Sequence, residues 1–223
     1  MIRLRPNTLV MRITILALLL TSLPAAPADA QSSIAELYRN GEPSCTTFSM
    51  SGDGSAWVTA AHCLKPGADG LAPTLSIHGT PVVIKAVYPT FDIAILVGPP
   101  TPRYWPLGSA PRAGDDVIVA GYFFWAGWHG DSISIFKGHV INPHVKLPLM
   151  PSPTEWANGL MLLSNTGNYG LSGAPVLKDD QVVGVWVGRP AKNLRSPQNQ
   201  PAMSFATPFS HFAPRIIREL ATP

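Results

Sequence analysis

Three side chains of this sequence could together activate a hydroxyl group for attack on a carbonyl carbon: His62, Asp92 and Ser172. A serine hydroxyl is a weak nucleophile at neutral pH unless a base accepts its proton, and the imidazole of histidine has the pKa that suits this task. The imidazole also needs a buried acceptor that fixes its tautomer and stabilises its protonated form. The sequence therefore predicts Ser172 as nucleophile, His62 as general acid and base, and Asp92 as the group that orients His62.

The surroundings of Asp92 support its role as a buried acceptor. It interrupts the apolar run from Phe91 to Leu96, where an unpaired carboxylate would be costly to bury. The alternative is an exposed turn residue that begins a strand. His62 considered alone would be better interpreted as a hydrogen-bonded structural histidine, so the prediction depends on all three residues together.

The segment Gly170-Leu171-Ser172-Gly173 predicts a tight turn that carries the nucleophile. Two backbone N–H groups must converge on the oxyanion that develops during attack, and glycine lets the chain turn sharply enough to expose them. The amides of Gly170 and Ser172 are the predicted donors of this oxyanion hole. Considered alone, the segment could equally be a glycine-rich hairpin.

The first thirty residues predict a secretory signal peptide. Arg3, Arg5 and Arg12 precede an apolar run and an Ala28-Asp29-Ala30 cleavage site, so residues 1–30 are expected to be removed. The apolar run is far shorter than the roughly 20 residues that span a bilayer, which makes the alternative, an uncleaved membrane anchor, the weaker interpretation. We expect a secreted or periplasmic protein with no stable membrane insertion after cleavage.

Charge and cysteine content narrow the function further. The formal charge of +3 falls to +1 once the signal peptide is removed, and no basic cluster follows Gln31, so the sequence predicts no nucleic-acid partner. Cys45 and Cys63 are the two cysteines, and an even pair in an exported chain predicts a disulfide. The alternative, Cys63 as a nucleophile activated by His62, is disfavoured because adjacent residues of a strand point to opposite faces.

The backbone that must position these residues is predicted to be all-β. Prolines and glycines, 24 and 19 in number, divide the chain into short segments rich in Val, Ile and aromatic residues. Short helices are expected at Ser32–Asn40 and Phe209–Leu220 only. A proline-rich connector, residues 99–111, separates two halves of about six strands each. The predicted strands are Cys45–Ser49, Ser55–Thr59, Thr74–His78, Val82–Tyr88, Ile93–Val97, Asp116–Gly121, Ser132–Val140, Gly159–Leu163, Ala174–Leu177, Gln181–Val187 and Met203–Thr207.

Together, the three motifs resemble those of the trypsin-like, chymotrypsin-fold serine proteases. The family carries its histidine in T-A-A-H-C, as at Thr59–Cys63, its aspartate in a D-I-A-L-type strand, as at Asp92, and its serine in G-x-S-G-x-P, as at Gly170–Pro175. Further similarity extends over Ala113–Tyr122, Gln181–Trp186 and Phe205–Pro208. The spacings are similar to those of compact bacterial glutamyl-endopeptidase-like and HtrA-like enzymes.

The resemblance implies a peptidase domain at residues 31–223 that consists of two six-stranded antiparallel β-barrels and a C-terminal helix. The first barrel would occupy about residues 41–98, the second about 112–208 and the helix 209–220. It also implies a Cys45–Cys63 bridge beside the histidine. The implied activity is that of a serine endopeptidase that acts through an acyl-enzyme on protein or peptide substrates. We expect a monomer without a cofactor, and no metal site, because His129, His139 and His144 lack a metal-type spacing on one strand face.

One departure from the family pattern concerns the residue before the nucleophile. The family usually has Asp or Asn there, and in zymogen-type members the Asp pairs with the new N-terminus after activation, whereas this chain has Leu171. The departure motivates an alternative function, a catalytically inactive trypsin-like fold that binds a protein partner. An esterase-like hydrolase on the same fold uses the same residues and is a third possibility.

Substrate preference follows from the resemblance and not from the residues alone. The implied specificity pocket includes Thr166, Tyr169, Trp186 and Gly188. No acidic residue lies between Leu163 and Ser172, so we expect small or apolar side chains to be preferred over basic ones. Arg189 keeps an acidic preference open.

Overall fold

The computed structural model describes residues 33–67, 70–125, 128–129, 132–145, 159–165, 169–189, 203–214 and 217. The predicted signal peptide lies outside these residues. Regular structure within them is mainly β-strand, with short turns of 3-10 helix at Ala61–Leu64, Pro89–Phe91 and Phe209–His211 and helical conformation at residues 213, 214 and 217. Within the described part of the chain, no helix is both long and apolar enough to cross a membrane.

The first half of the chain forms one curled antiparallel sheet of seven strands in the order β5-β4-β1-β2-β3-β7-β6. Strands β5 and β6 follow each other directly along the chain and are separated only by Val82, where the chain leaves β4 and begins to pair with β7. The prediction of a closed six-stranded first barrel is therefore wrong: the sheet has seven strands and is not closed in the described residues. Its strands are β1 (Ile34–Arg39), β2 (Glu42–Ser49), β3 (Ala56–Ala60), β4 (Leu75–Ile77), β5 (Thr80–Pro81), β6 (Val83–Tyr88) and β7 (Ile93–Val97).

The predicted helix at Ser32–Asn40 is also wrong, because Ile34–Arg39 is strand β1. This strand pairs with β2 on one side and with β4 on the other, and Leu37 is fully buried between them. The turn from β1 to β2 is Asn40-Gly41, and both residues have positive φ, 53° and 83°. Positive φ at two central positions is typical of the tight hairpin turn that matches the twist of two antiparallel strands.

The second half contains the closed six-stranded barrel that the resemblance implied. Its strands follow the order β11-β12-β15-β14-β13-β8 around the barrel, all antiparallel. A separate two-stranded ribbon, β9 (Phe124–Trp125) with β10 (Trp128–His129), follows β8. The barrel strands are β8 (Asp116–Gly121), β11 (Ser134–Val145), β12 (Leu160–Leu163), β13 (Pro175–Lys178), β14 (Gln181–Gly188) and β15 (Ser204–Pro208).

The proline-rich connector is hydrogen-bonded to both halves of the molecule. The amide of Trp105 donates to the carbonyl of Ser49 at 3.0 Å, and the amide of Gly108 donates to the carbonyl of Val182 at 2.8 Å. One hydrophobic cluster likewise draws buried residues from both halves, including Cys63 and Leu96 from the first and Leu160 and Phe205 from the second. The two halves therefore share a packed interface, and the predicted catalytic residues lie along it.

The predicted C-terminal helix is not shown. Phe209–His211 forms a 3-10 turn, and most of residues 213–220 lie outside the described residues. Phe209 and Phe212 of this segment are buried, with ring centroids 4.6 Å apart, and pack against Phe48 of β2 and Phe91 of the 3-10 turn before β7.

Candidate active site

The structure brings His62 and Asp92 into direct contact. The Asp92 carboxylate accepts two hydrogen bonds from His62: Oδ1 from the backbone amide at 2.8 Å and Oδ2 from ring atom Nδ1 at 2.6 Å. Because a carboxylate is an acceptor only, Nδ1 is the protonated ring nitrogen and Nε2 is left as an acceptor. The Asp92 side chain is 4% exposed and that of His62 is 26% exposed, so the pair has a buried end and an accessible end.

The strand register explains why these two residues meet. Strands β3 and β7 are neighbours, and their last aligned pair is Ala60 with Ile93, so His62 and Asp92 lie just beyond the ends of the two strands. Asp92 adopts left-handed backbone geometry, with φ 55°, which aspartate tolerates better than most residues. In this conformation its carbonyl also accepts the amide of Ala61 at 2.9 Å. The backbone and side chain of Asp92 together hold the turn that carries His62.

Ser172 occupies a tight turn between Leu171 and Ala174. The amide of Ala174 donates to the carbonyl of Leu171 at 2.8 Å, which closes a four-residue β-turn. Gly173 is the third residue of this turn and has φ 87°, the left-handed value that a type II turn requires at that position. A second bond, from the Gly173 amide to the carbonyl of Trp186 at 2.9 Å, ties the turn to β14.

Thr46, in β2, attaches this turn to the first sheet. Its amide donates to the carbonyl of Ser172 at 2.9 Å, and its hydroxyl donates to the carbonyl of Gly170 at 2.8 Å. The same hydroxyl oxygen accepts the amide of Tyr122 at 3.0 Å. Sequence analysis missed Thr46, because a threonine within a strand is an ordinary β-forming residue and its partners lie far away in the chain.

The predicted disulfide joins Cys45, beside Thr46, to Cys63, beside His62. The Cys63 sulfur lies 3.9 Å from the carbonyl oxygen of Ser172, so the bridge contacts the turn of the predicted nucleophile. Cys45, His62 and Cys63 are also grouped closely enough to suggest a metal site. Both sulfur atoms are in the disulfide, however, so this group offers no thiolate to a metal and Cys63 is not a nucleophile.

The two predicted oxyanion donors, the amides of Gly170 and Ser172, are not used by the hydrogen bonds that hold the turn. The carbonyl of Tyr169 accepts the amide of Phe124 at 2.9 Å. In a trans peptide the C=O and the next N–H point in opposite directions, so the Gly170 amide faces away from Phe124. By the same geometry the Ser172 amide faces away from Ala174. Among the described residues, neither amide donates to a protein backbone group.

Leu171 is fully buried within the core of the second barrel. It belongs to a cluster with Val119, Leu163 and Val176. The core therefore holds this residue through apolar packing, where the family pattern has a polar or acidic side chain. The turn is therefore held on one side by the packing of Leu171 in the second barrel and on the other by the hydrogen bonds of Thr46 in the first sheet.

The residues of the implied specificity pocket are only partly brought together. Thr166 lies outside the described residues. Tyr169 is 72% exposed, and the Arg189 guanidinium lies 5.4 Å from the centre of its ring. Trp186 is 3% exposed and belongs to the core of the second barrel, and Gly188 is half-buried at the end of β14. The pocket walls therefore stay a prediction.

Comparison with known proteins identifies the family. The family model for the trypsin-like peptidase domain matches residues 45–185. Among curated proteins, no sequence matches the chain.

Solved structures of three bacterial proteases are similar in fold. The Rv3671c protease from M. tuberculosis H37Rv, in an inactive form, is 19% identical with a TM-score of 0.64, and the match covers 91% of this chain and 93% of that one. The HtrA-type protease AlgW with a tripeptide is 18% identical with a TM-score of 0.64, over 86% of this chain and 60% of that one. The serine endoprotease from Yersinia pestis is 15% identical with a TM-score of 0.58, over 85% and 62% of the two chains. The match of the family model to most of the chain, in agreement with the fold, shows that this protein belongs to the trypsin-like peptidase family.

Proposed function

We propose that this protein is an exported serine endopeptidase that hydrolyses peptide bonds through Ser172, His62 and Asp92. The observation that carries the proposal is the double contact of the Asp92 carboxylate with the amide and Nδ1 of His62. A carboxylate held in this way orients the imidazole and stabilises the imidazolium that forms when a serine proton is transferred. The His62 side chain is 26% exposed, which supports access of a substrate to the imidazole.

The proposed reaction proceeds through an acyl-enzyme. Nε2 of His62 accepts the Ser172 hydroxyl proton while Oγ attacks the carbonyl carbon of the scissile peptide, and the oxyanion receives hydrogen bonds from the Gly170 and Ser172 amides. His62 then passes the proton to the departing amine, which leaves Ser172 acylated. A water molecule, deprotonated by the same nitrogen, attacks the ester and regenerates the free serine and a carboxylic acid.

Export is part of the proposal because it accounts for the disulfide. A Cys45–Cys63 bridge persists in oxidising compartments and is rare where thiols are kept reduced. The arginine-rich, apolar and A-x-A pattern of residues 1–30 supports a secreted or periplasmic location. The expected partner is a protein or peptide substrate.

A fluorophosphonate probe tests the proposal directly, because its phosphorus forms an ester with a serine oxygen, with loss of fluoride, only where a base activates the hydroxyl. The mature protein should be labelled, and the Ser172→Ala variant should not be labelled under conditions where both are folded. Absence of Ser172-dependent labelling would favour the alternative, an inactive trypsin-like fold that binds a protein partner. Labelling together with hydrolysis of esters but not of peptides would favour the esterase-like alternative.

For substrate preference, we propose small or apolar side chains at the residue before the scissile bond. The described part of the Leu163–Ser172 segment contains no carboxylate that would attract a basic side chain. The Arg189 guanidinium lies 5.4 Å from the ring centre of Tyr169, three residues before Ser172, and this positive charge supports weak tolerance of acidic residues. Cleavage profiling on a peptide library measures this preference, and dominant cleavage after Arg or Lys would contradict it.

A further inference from the structure

A cavity of about 460 Å³ lies between the β1–β2 hairpin, the β4–β5 hairpin and Tyr122. Its lining residues are Glu36, Tyr38, Gly41, Ser76, His78 and Gly79, together with Tyr122. Glu36 is the one residue of this lining that is Asp, Glu, Lys or Arg, and His78 is its one histidine. We infer that this cavity is a subsite for the side chain of a lysine or arginine on the leaving-group side of the scissile bond. The inference rests on the proposed peptidase function.

The strand register places Glu36 beside the turn that carries Ser172. Residues directly opposite each other in an antiparallel pair project their side chains from the same face of the sheet, and Glu36 is opposite Thr46. The Thr46 hydroxyl contacts the Gly170 carbonyl and the Tyr122 amide, so that face of the sheet borders the predicted oxyanion hole. Tyr38 and its partner Ser76 share the face, whereas Arg39 projects from the opposite one.

Within the cavity, the Glu36 carboxylate is ready to receive a cation. The Tyr38 hydroxyl donates a hydrogen bond to its Oε2 at 2.7 Å, and the described residues provide no cationic partner. Burial, with the Glu36 carboxylate as a second cause, raises the pKa of the Tyr122 hydroxyl, which agrees with both groups lining one cavity. A lysine ammonium or an arginine guanidinium would find one carboxylate and several hydroxyl oxygens here.

The position of Tyr122 in the second barrel assigns the cavity to the leaving group. Tyr122 follows β8, whereas the predicted pocket residues Trp186 and Gly188 belong to β14, and β8 and β14 pair with opposite edges of β13, the strand that follows the Ser172 turn. Strands β8 and β14 therefore lie on opposite sides of the strand that leaves the turn. With the acyl residue of a substrate on the β14 side, we place the residues after the scissile bond on the side of Tyr122 and the first sheet.

The test uses peptides of one cleavable sequence that differ only in the three positions after the scissile bond, each occupied in turn by Lys, Gln or Glu. For the mature protein we expect kcat/KM to be about fivefold higher for Lys than for Gln at one of these positions, which is the scale of a partly exposed ion pair. The Glu36→Gln variant keeps the shape of the cavity and should reduce the ratio to about one. Added salt should reduce the wild-type ratio in the same direction.

Glu42→Gln is the matched control, because Glu42 is an exposed acid of the same hairpin that does not line the cavity, and its loss changes the net charge equally. This variant should keep the wild-type ratio. Equal ratios in wild type and Glu36→Gln, or equal losses in both variants, would overturn the subsite. Fluorophosphonate labelling of Ser172 separates the two proposals: a labelled protein without a Lys preference overturns the subsite alone, and a folded protein that is not labelled overturns the proposed function as well.

Discussion

The backbone amide of Thr46 donates a hydrogen bond to the carbonyl oxygen of Ser172 at 2.9 Å, and this bond joins strand β2 of the first sheet to the turn that carries the predicted nucleophile. The Thr46 side chain, fully buried, adds the bonds to Gly170 and Tyr122. Thr46 of the first sheet therefore forms hydrogen bonds with three residues of the second half, Ser172, Gly170 and Tyr122. Thr46 is a positioning residue for the proposed reaction.

Replacement of Thr46 by valine tests this role. Valine has the shape of threonine without the hydroxyl, so it leaves the Gly170 carbonyl and the Tyr122 amide without their partner, at about 1–3 kcal/mol of unfolding free energy. We expect slower fluorophosphonate labelling of Ser172 and a lower urea midpoint. Thr46→Ser retains the hydroxyl and should restore the labelling rate. A Thr46→Val protein that is destabilised but labelled at the wild-type rate would limit Thr46 to stability.

Asp92→Asn tests whether the carboxylate orients the His62 imidazole, because it removes the charge and keeps the size of the side chain. Asparagine preserves the size of the side chain and also tolerates the left-handed backbone at position 92, so the fold should survive. Its amide nitrogen can no longer accept the proton of His62 Nδ1, and comparable changes in triads reduce kcat by about 10⁴. We expect this loss in peptide hydrolysis with an unchanged circular dichroism spectrum. Activity within tenfold of wild type would contradict the assigned role of Asp92.

The residues that could be predicted from sequence are those whose chemistry demands one residue type. A base, a carboxylate acceptor and a hydroxyl inside a glycine turn each have few substitutes, so His62, Asp92 and Ser172 are visible in the sequence. Thr46 is not, since its partner Gly170 lies 124 positions away and many residues suit a strand. Glu36 is hidden for the same reason, because its place beside the turn follows from strand register alone.

The fold could be predicted as all-β, but two local features of the first half were missed. In β1 the apolar residues Ile34, Ala35 and Leu37 do not alternate cleanly, so the pattern fits a helix as well as a strand. The segment forms a strand because it is hydrogen-bonded to β2 on one side and to β4 on the other. The change of partner at Val82 depends on the curl of the whole sheet, which no local pattern encodes.

Gly173→Ala tests whether the Ser172 turn needs glycine for space as well as for conformation. A Cβ at this position would collide with the Thr46 carbonyl, the Thr59 hydroxyl and the Ala60 amide. Gly41 has nearly the same φ, 83° against 87°, but open space around it, so Gly41→Ala measures left-handed strain alone, about 1–2 kcal/mol. We expect a larger loss of unfolding free energy, and loss of labelling, for Gly173→Ala. If Gly173→Ala and Gly41→Ala lose the same unfolding free energy in urea, the turn adjusts to the added methyl group and the close contacts are not limiting.

The stacked pair His144 and His211 predicts acid sensitivity. Their rings are 5.4 Å apart and nearly parallel, and burial, with His144 as a second cause, lowers the pKa of His211. Below about pH 6.5 the unfolded chain therefore binds more protons than the folded one, and the free energy of unfolding falls as the pH decreases towards the lowered pKa. His211→Gln should make the urea midpoint less dependent on pH between 8 and 5. His139→Gln, an exposed change on β11, is the control, and an equal effect of both would contradict the assignment.

Substitutions of Leu171 test whether apolar packing or an ion pair stabilises the turn that carries Ser172. Its side chain is fully buried among Val119, Leu163 and Val176, and Asp at this position would bury a carboxylate with no cation in the described surroundings. The penalty for such a burial is several kcal/mol, so Leu171→Asp should unfold at much lower urea and lose labelling, although Asp is the residue usual in the family. Leu171→Met conserves volume and polarity, and its expected loss is below about 1.5 kcal/mol with labelling retained. A stable, labelled Leu171→Asp protein would mean that a cation reaches this core, and the turn would then depend on an ion pair as in proteases that are activated by cleavage.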